Sequence, residues 1–558
     1  MKGSKILIES LLKEGVEVIF GYPGGSVIPL FDSLYDSPIK LILPRHEQGG
    51  AHMADGYSRS TGKVGVCLAT SGPGATNLTT GIATAHMDSI PMVAIAGQVK
   101  TSLIGNDAFQ EADITGITRS ISKHNYLVKD VKELAYTVKE AFYLASSGRP
   151  GPVVIDLPVD VQNQEAEFNY FDKIEIRSYR PSHFGHPGQI KRILKLIYSA
   201  KKPVLIVGGG IISSGAHQEL LRFAESANIP VTATLMGLGG FPSTHKLALG
   251  MPGMHGTVYA NMAITECDLL ISVGSRFDDR VTGKISAFAP EAKIIHIDID
   301  PTSISKNINV HIPVVGDAKA VLEQLVEEAD PEKLPNLDNW HKKIKEWKKK
   351  YPLAYKQVST GKIKPQYVIE EIYNQTKGAA IIATEVGQNQ MWAAQFYKFD
   401  YPRHFLSSGG LGTMGYGFPA AIGAKIANPS KEVVVIAGDG SFQMNIQELA
   451  TVDTYDVGVK VIILNNHFLG MVRQWQEIFY NRRYSGTPLK NPDFVKVAQG
   501  YGIKGMRIKK PSEVKAAVGE ILASKKAVVA DFWIEPEENV FPMVPAGEAI
   551  NRMIGGMA

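Results

Sequence analysis

Short apolar runs that end in glycine and lead into helical patterns recur along the whole chain, and this rhythm restricts it to parallel α/β architecture. A strand covered by helices on both faces reads as a continuous apolar run, where a half-exposed one alternates. Between residues 16 and 160 the runs are VEVIFGYPGG, IKLILPRHEQ, VGVCLATSGPGATN, MVAIAGQ and GPVVIDLP. A polar stretch near 163–187, with NQEAEFNYFDK and YRPSHFGHPG, lacks periodicity and is expected to be a linker. KPVLIVGGG, IPVTATLMG, CDLLISVGS and AKIIHIDID predict a second unit, and AAIIATEVG, HFLSSGG, EVVVIAGDGSF, VKVIILNNHFLG and AVVADFWI a third. The expectation is three doubly wound parallel-sheet domains at 1–165, 188–330 and 362–558, the first and third sharing a coarse strand and helix rhythm. The charged stretch DPEKLPNLDNWHKKIKEWKKK is expected to be a solvated helix bridging domains.

A chain of 558 residues exceeds what one hydrophobic core organises. Its 59 basic and 55 acidic residues leave a net charge of +4, so no global field draws in nucleic acid. Cys67 and Cys267 lie in apolar segments and can build neither a disulfide framework nor a Cys-rich zinc site. No apolar run reaches the roughly 20 residues of a membrane span. The first residues pass at once into an amphipathic helical pattern, from which a cytoplasmic protein without a removed leader is expected.

In an open parallel sheet, ligands gather at the carboxyl ends of strands, where helices begin. GDGSFQMN, from Gly438 to Asn445, marks such an end. Its glycines permit tight turns, Asp439 offers a hard oxygen, and Asn466, closing VIILNN one strand later, offers a second. Mg²⁺ takes oxygen ligands of this kind and is usually completed by phosphates of a substrate or cofactor. Taken singly, the two residues read as a turn aspartate and a capping asparagine. Glu47, which ends IKLILPRHE and opens a helix, reads either as a glutamate favoured by the helix macrodipole or as a buried acid. VGGG in the second unit misses the last glycine of a dinucleotide fingerprint and alone reads as a core turn.

GDG followed by NN resembles the metal-binding signature of thiamine diphosphate enzymes. Over nearly its whole length the chain resembles the catalytic subunits of one family of them, the acetohydroxyacid (acetolactate) synthases. GYPGG, RHEQGGAHMADGYSR, TSGPGATN, AFQEAD, GRPGPVVIDLP, LMGLGGFP, GMHGTVYAN, SRFDDRVTGK, HIDIDP, SSGGLGTMGYGFPAAIGAK, GDGSFQMNIQELAT and GMVRQWQ occur in the family's order. The resemblance implies thiamine diphosphate, Mg²⁺ and FAD. Asp439, Asn466 and the carbonyl of Phe468 would hold the metal, and Gln388, Gly440, Ser441 and Gly470 the diphosphate. Gly412 and Met414 would meet the aminopyrimidine, with Met414 keeping the cofactor bent. Glu47 would face pyrimidine N1′ and promote proton movement at the adjoining amino group. Arg149, Gly209, Gly210, Thr234, Leu235, Met236, Met254, His255, Gly274, Arg276, Asp298, Ile299 and Asp317 would contact FAD. Gln110 would lie near the reacting centre. Arg280, which otherwise pairs with Asp278 or Asp279, would hold a 2-ketoacid carboxylate. Phe109, Met254 and Trp475 would line an acceptor pocket favouring 2-ketobutyrate over pyruvate.

The implied reaction decarboxylates pyruvate and joins the two-carbon unit to pyruvate or 2-ketobutyrate, giving 2-acetolactate or 2-aceto-2-hydroxybutyrate. This is the first shared step towards the branched-chain amino acids. The alternatives are an oxidase of the pyruvate oxidase type, with the flavin taking electrons, and a catalytically silent binding partner. RFDDR and RQWQ speak against the first, and intact Glu47, Asp439 and Asn466 against the second. Active sites between the first domain of one subunit and the third of another imply a homodimer or homotetramer, and a separate small regulatory subunit is expected. Three positions depart from the family's pattern: Asn389 stands where histidine is frequent, Val159 replaces a lysine, and Lys100 replaces a proline.

Overall fold

The computed structural model describes residues 1–555. The first sheet contains β1 (Val18–Gly21), β2 (Lys40–Ile42), β3 (Gly65–Ala69), β4 (Met92–Gln98), β5 (His124–Leu127) and β6 (Pro152–Pro158), in the order β2-β1-β3-β4-β6-β5. The middle sheet contains β7 (Pro203–Val207), β8 (Val231–Ala233), β9 (Leu269–Val273), β10 (Lys293–Asp298) and β11 (Ile312–Val315), ordered β11-β10-β9-β7-β8. The third contains β12 (Ile381–Thr384), β13 (Phe405–Leu406), β14 (Val433–Gly438), β15 (Lys460–Asn465), β16 (Lys504–Ile508) and β17 (Val528–Trp533), ordered β13-β12-β14-β15-β17-β16. All neighbouring strands are parallel, as the continuous apolar runs require.

Counted from its own first strand, the third sheet repeats the order of the first, 2-1-3-4-6-5, and the middle sheet follows 2-1-3-4-5. Each order reverses between its first strand and its third, and the loops leaving those two strands diverge to open a crevice. The strands β3, β4, β6, β7, β9, β12 and β15 are buried throughout. β5, β11 and β16 have no counterpart among the expected strands, and all three lie at sheet edges.

The first and third sheets share one core that includes Phe20, Met53, Ala54, Phe418, Ala421 and Ile422. It is sealed where helix Glu47–Thr61 lies against helix Gly417–Ala427. A methyl group at Gly56 would fall 2.0 Å from the carbonyl oxygen of Ala420, and one at Gly423 would fall 1.9 Å from that of Met53. Only glycine permits this backbone-to-backbone contact. From Gln164 to His186 the chain runs in extended and turn conformation, with Ala166, Phe168, Tyr170, Ile176 and Tyr179 packed against the core of the first sheet. The charged stretch forms the helix Asp338–Lys350, but it is not solvated all round. Trp340 and Ile344 are buried, and the Trp340 indole donates to the carbonyl of Pro203 at 3.1 Å, so one apolar stripe docks on the middle sheet. Among the described residues no helix is long and apolar enough to cross a membrane.

Candidate active site

The GDG and NN motifs meet where the third sheet reverses. Asp439 follows β14 at the start of helix Asp439–Phe442, Gln388 opens helix Gln388–Phe396 after β12, and Asn466 follows β15. With Gly440, Ser441, Phe468, Gly470 and Met414 they line a cavity of about 80 Å³. Asp439 is 1% exposed, and its Oδ2 accepts from Asn491 Nδ2 at 2.6 Å. Burial pushes its carboxyl up to about 6, against the pull of Asn491 and nearby backbone N–H groups. Asn466 donates to Gln388 Oε1 at 3.3 Å and accepts from the backbone N–H of Phe468 at 3.1 Å. Among the described residues no group of three or more His, Cys, Asp or Glu side chains converges on a metal position. A buried carboxylate, an amide oxygen and few other protein donors fit Mg²⁺ completed by phosphates, and would not fit a cation needing a full protein cage.

The loop between β13 and helix Gly417–Ala427 brings Met414 to this cavity and Gly412 to a larger one beside it. Gly412 has φ +72°, and a methyl there would meet only Val386, at 4.0 Å, so the space above it is open. Glu385, fully buried at the end of β12, accepts the backbone N–H of Gly415 at 2.7 Å and that of Phe418 at 3.0 Å. From the first sheet's side, Asp88 accepts the N–H groups of Gly409 and Gly410 at 3.1 and 2.7 Å. Arg59 pairs with Asp88 at 2.8 Å and with Asp55 at 2.5 Å, and Tyr416 donates to Asp55 at 2.7 Å.

A second cavity, of about 1000 Å³, adjoins the first; Val386, Gly387, Met414, Met471 and Val472 line both. Its floor lies where the middle sheet reverses, after β7 and β9. A methyl at Gly210 would fall 2.6 Å from Gly274 Cα, and Gly274 holds φ +60°, so bare backbone faces the space. Arg149, Gly209, Thr234, Leu235, Met236, Met254, His255, Arg276, Asp298, Ile299 and Asp317 line it with Gly210 and Gly274, and so do Arg59, Asp88 and Arg403. Arg149 pairs with Asp300 at 3.1 Å, and Asp317 caps helix Ala318–Glu328. His255 is buried with Nδ1 unpartnered, and burial lowers its pKa to about 4, so it is neutral. The size, the glycine floor, Arg149 and Arg276, and the orphaned imidazole nitrogen fit a large nucleotide such as FAD. Arg280 and Trp475 line the same cavity. The guanidinium of Arg280 is exposed and 3.7 Å from Asp279, a weak pair, while Asp278 caps the helix that follows it.

Glu47, Phe109 and Gln110 do not line either cavity of their own chain. Glu47 begins helix Glu47–Thr61 and accepts from Asn77 Nδ2 at 2.9 Å. The loop before it is tied to the third sheet's unit by Glu448, which accepts the N–H groups of Arg45 and His46 at 3.0 Å. Phe109 is 89% exposed, and Gln110 holds φ +58°.

Residues 1–117, 190–325 and 385–532 match, in turn, the N-terminal TPP binding domain, the central domain and the C-terminal TPP binding domain of thiamine pyrophosphate enzymes. The chain is 51% identical to the acetolactate synthase large subunit of Haemophilus influenzae over 562 residues, covering 99% of this chain and 98% of that one. It is 52% identical to the probable acetolactate synthase large subunit of Methanocaldococcus jannaschii, covering 99% and 95%. The acetolactate synthase isozyme 3 large subunit of Escherichia coli is 49% identical, with 99% and 98% covered. The chain belongs to the acetolactate synthase large-subunit family.

Within that family's pattern, Asn389 is a departure with a visible consequence. Its Nδ2 donates to the carbonyls of Glu385 at 2.9 Å and Ile436 at 2.8 Å, tying the end of β12 to that of β14. Both amide protons are used, so Asn389 has none left for a phosphate. Glu385 and the Asp55–Arg59–Asp88–Tyr416 network, which hold the loop bearing Gly412 and Met414, were not among the residues picked out from the sequence; the only local signal was a carboxylate at a strand's end in IIATEVG. Burial pushes the Glu385 carboxyl up to about 7, against the backbone N–H groups it accepts. An acid raised in the fold binds its proton more tightly there than when unfolded, so its contribution to stability falls as pH rises from about 4.5 through 7. Glu385→Gln turns an NH₂ group towards a backbone donor and is expected to cost about 2 kcal/mol. Urea unfolding at pH 5 and pH 8 checks both points: the deficit relative to wild type is narrower at pH 8.

Proposed function

We propose that this chain is the catalytic large subunit of an acetolactate synthase that decarboxylates pyruvate and ligates the two-carbon unit to pyruvate or 2-ketobutyrate. The observation that carries the reading is the pair of adjoining cavities, one suited to Mg²⁺ and a diphosphate, the other to a flavin nucleotide and lined also by Arg280 and Trp475. Thiamine diphosphate, when bound, supplies the electron sink for breaking and making bonds next to a carbonyl.

Asp439, Asn466 and the carbonyl of Phe468 hold Mg²⁺ in this reading; Gln388, Gly440, Ser441 and Gly470 hold the diphosphate. Gly412 would give the aminopyrimidine room, and Met414 would supply an apolar surface for the cofactor. Glu47, from a second copy of the chain, would be the acid that shares a proton with the bound aminopyrimidine, and Gln110 would lie near the reacting atoms. Arg280 fixes the carboxylate of the second 2-ketoacid with paired N–H donors. Phe109, Met254 and Trp475 exclude water from the acceptor. The wall from Arg149 to Asp317 would hold FAD. The reading divides the chain into domains at 1–165, 188–330 and 362–558. It extends to a homodimer or homotetramer, a small regulatory subunit, and a cytoplasmic location.

Incubation of the purified protein with thiamine diphosphate, Mg²⁺, FAD, pyruvate and 2-ketobutyrate in air tests it. Aceto-hydroxyacids identified by mass spectrometry are expected; acetate or acetyl phosphate with peroxide would instead indicate an oxidase. Trp475→Leu shortens the apolar wall and is expected to lower the ratio of 2-aceto-2-hydroxybutyrate to 2-acetolactate about 10-fold, the scale on which an apolar pocket distinguishes one methylene. An unchanged product ratio would remove Trp475 as the selector.

A further inference from the structure

Arg403, in the turn entering β13, donates from Nη1 to the carbonyl of Arg59 at 3.2 Å and from Nη2 to that of Ile212 at 3.1 Å. One guanidinium from the third sheet's unit thus grips main-chain atoms of the other two. It stands near the C-terminal ends of helices Glu47–Thr61 and Gly209–Ser213, where a cation is favoured. Gly62, which ends the first of these, leaves it room: a methyl there would fall 2.8 Å from Arg403 Nη2. Among the described residues no carboxylate pairs with it, and its backbone is left-handed at φ 62°. A cation without an ion-pair partner on a strained backbone persists only where its surroundings fix it.

The contacts continue on both sides. Ile212 closes the turn whose glycines floor the large cavity. Arg59 donates to the carbonyl of Ser407 at 2.9 Å and holds Asp88, which in turn holds Gly409 and Gly410. Arg403, Arg59, Asp88 and the segment from Ser408 to Gly412 themselves line the large cavity, so a continuous run of hydrogen bonds along its wall leads from its glycine floor to the loop whose Met414 borders both cavities.

We propose that Arg403 is a positioning residue that couples the two cavities, so that a flavin dinucleotide in one and thiamine diphosphate in the other each tighten the other's binding. The proposal rests on the reading of the cavities given above. A ligand that orders the glycine turn fixes the Ile212 carbonyl. Through Arg403 this fixes Arg59 and the Ser407–Gly410 segment, and the second ligand then meets a site already ordered. Linkage makes the effect equal in both directions.

A contiguous path does not prove coupling, so the coupling itself is measured. On the full-length protein freed of cofactors, the dissociation constant of thiamine diphosphate with Mg²⁺ is read by tryptophan fluorescence with and without saturating FAD. That of FAD is read by flavin fluorescence with and without thiamine diphosphate and Mg²⁺. Wild type is expected to show the same tightening by both routes, about 5- to 150-fold. Arg403→Lys keeps the charge but cannot span both carbonyls; it and Arg403→Met are expected to bring the factor below about 2-fold while each cofactor alone still binds. A purely structural arginine would change both affinities and leave their ratio intact. Wild-type coupling in Arg403→Met, or wild type binding both cofactors with no coupling, overturns the proposal. Wild type binding neither cofactor overturns the reading of the cavities, and this inference with it.

Discussion

Asp439→Asn is expected to abolish turnover and to weaken thiamine diphosphate binding in Mg²⁺ by more than about 100-fold. Asp439 is the only acidic side chain among the proposed metal ligands, so the isosteric amide leaves Mg²⁺ with neutral oxygens alone, which bind this strongly hydrated ion poorly. The substitution keeps the volume and keeps an oxygen for Asn491, which separates loss of charge from loss of packing. A pH dependence follows from the carboxyl being pushed up to about 6 before any metal arrives. Protons compete with Mg²⁺, so affinity falls as pH is lowered from 8 through 6, and the amide variant lacks that slope. Fluorescence titration of both proteins at pH 8 and pH 5.5 measures this. Wild-type affinity in Asp439→Asn would take Asp439 out of the metal site.

Glu47→Gln is expected to lower kcat by about 10²- to 10⁴-fold, the usual contribution of a positioned acid or base, with cofactor affinity changed only a few-fold. The larger effect lies in a mixture. Glu47 does not line the cavities of its own chain, so the reading needs a second copy to supply it. Chains carrying Glu47→Gln and chains carrying Asp439→Asn are each inactive, but a dimer of one with the other has one site with both native residues. Equal mixing gives half hybrids with one good site in two, and about a quarter of the wild-type rate returns. Denaturing, mixing and refolding the two variants, followed by product assay, decides it. No recovery above the separate variants would mean that the acid and the metal belong to one chain.

Much of the fold was legible because the central strands are buried on both faces and so read as uninterrupted apolar runs. The three strands that escaped notice are HNYL, IPVV and KGMRI, edge strands whose outer side has no neighbour to bury it; His124 and Lys504 are exposed. At the site, GDG and NN on tight turns at strand ends drew attention together, while VGGG alone read as a core turn. Glu385 drew none, because its partners are the N–H groups of Gly415 and Phe418, roughly thirty residues on, and a carboxylate satisfied by distant backbone leaves no local pattern. Nor could spacing show that Glu47 lines neither cavity of its own chain. That depends on which face of helix Glu47–Thr61 meets helix Gly417–Ala427, a matter of packing between segments far apart in sequence.

The contact of Gly56 and Gly423 with bare carbonyls across that pair of helices has a mechanical consequence. Two backbones in direct contact have no side-chain layer to shear, so the seam behaves as a weld, and the first and third sheets move as one frame. Entry of a ketoacid and escape of a larger product must then be served by pieces hung from the frame. The stretch from Ser102 to Gln110 is one, with Leu103 and Phe109 in solvent and Asp107 and Gln110 in left-handed conformations. In hydrogen exchange, amides along the weld are expected to open last, and those of this flap first.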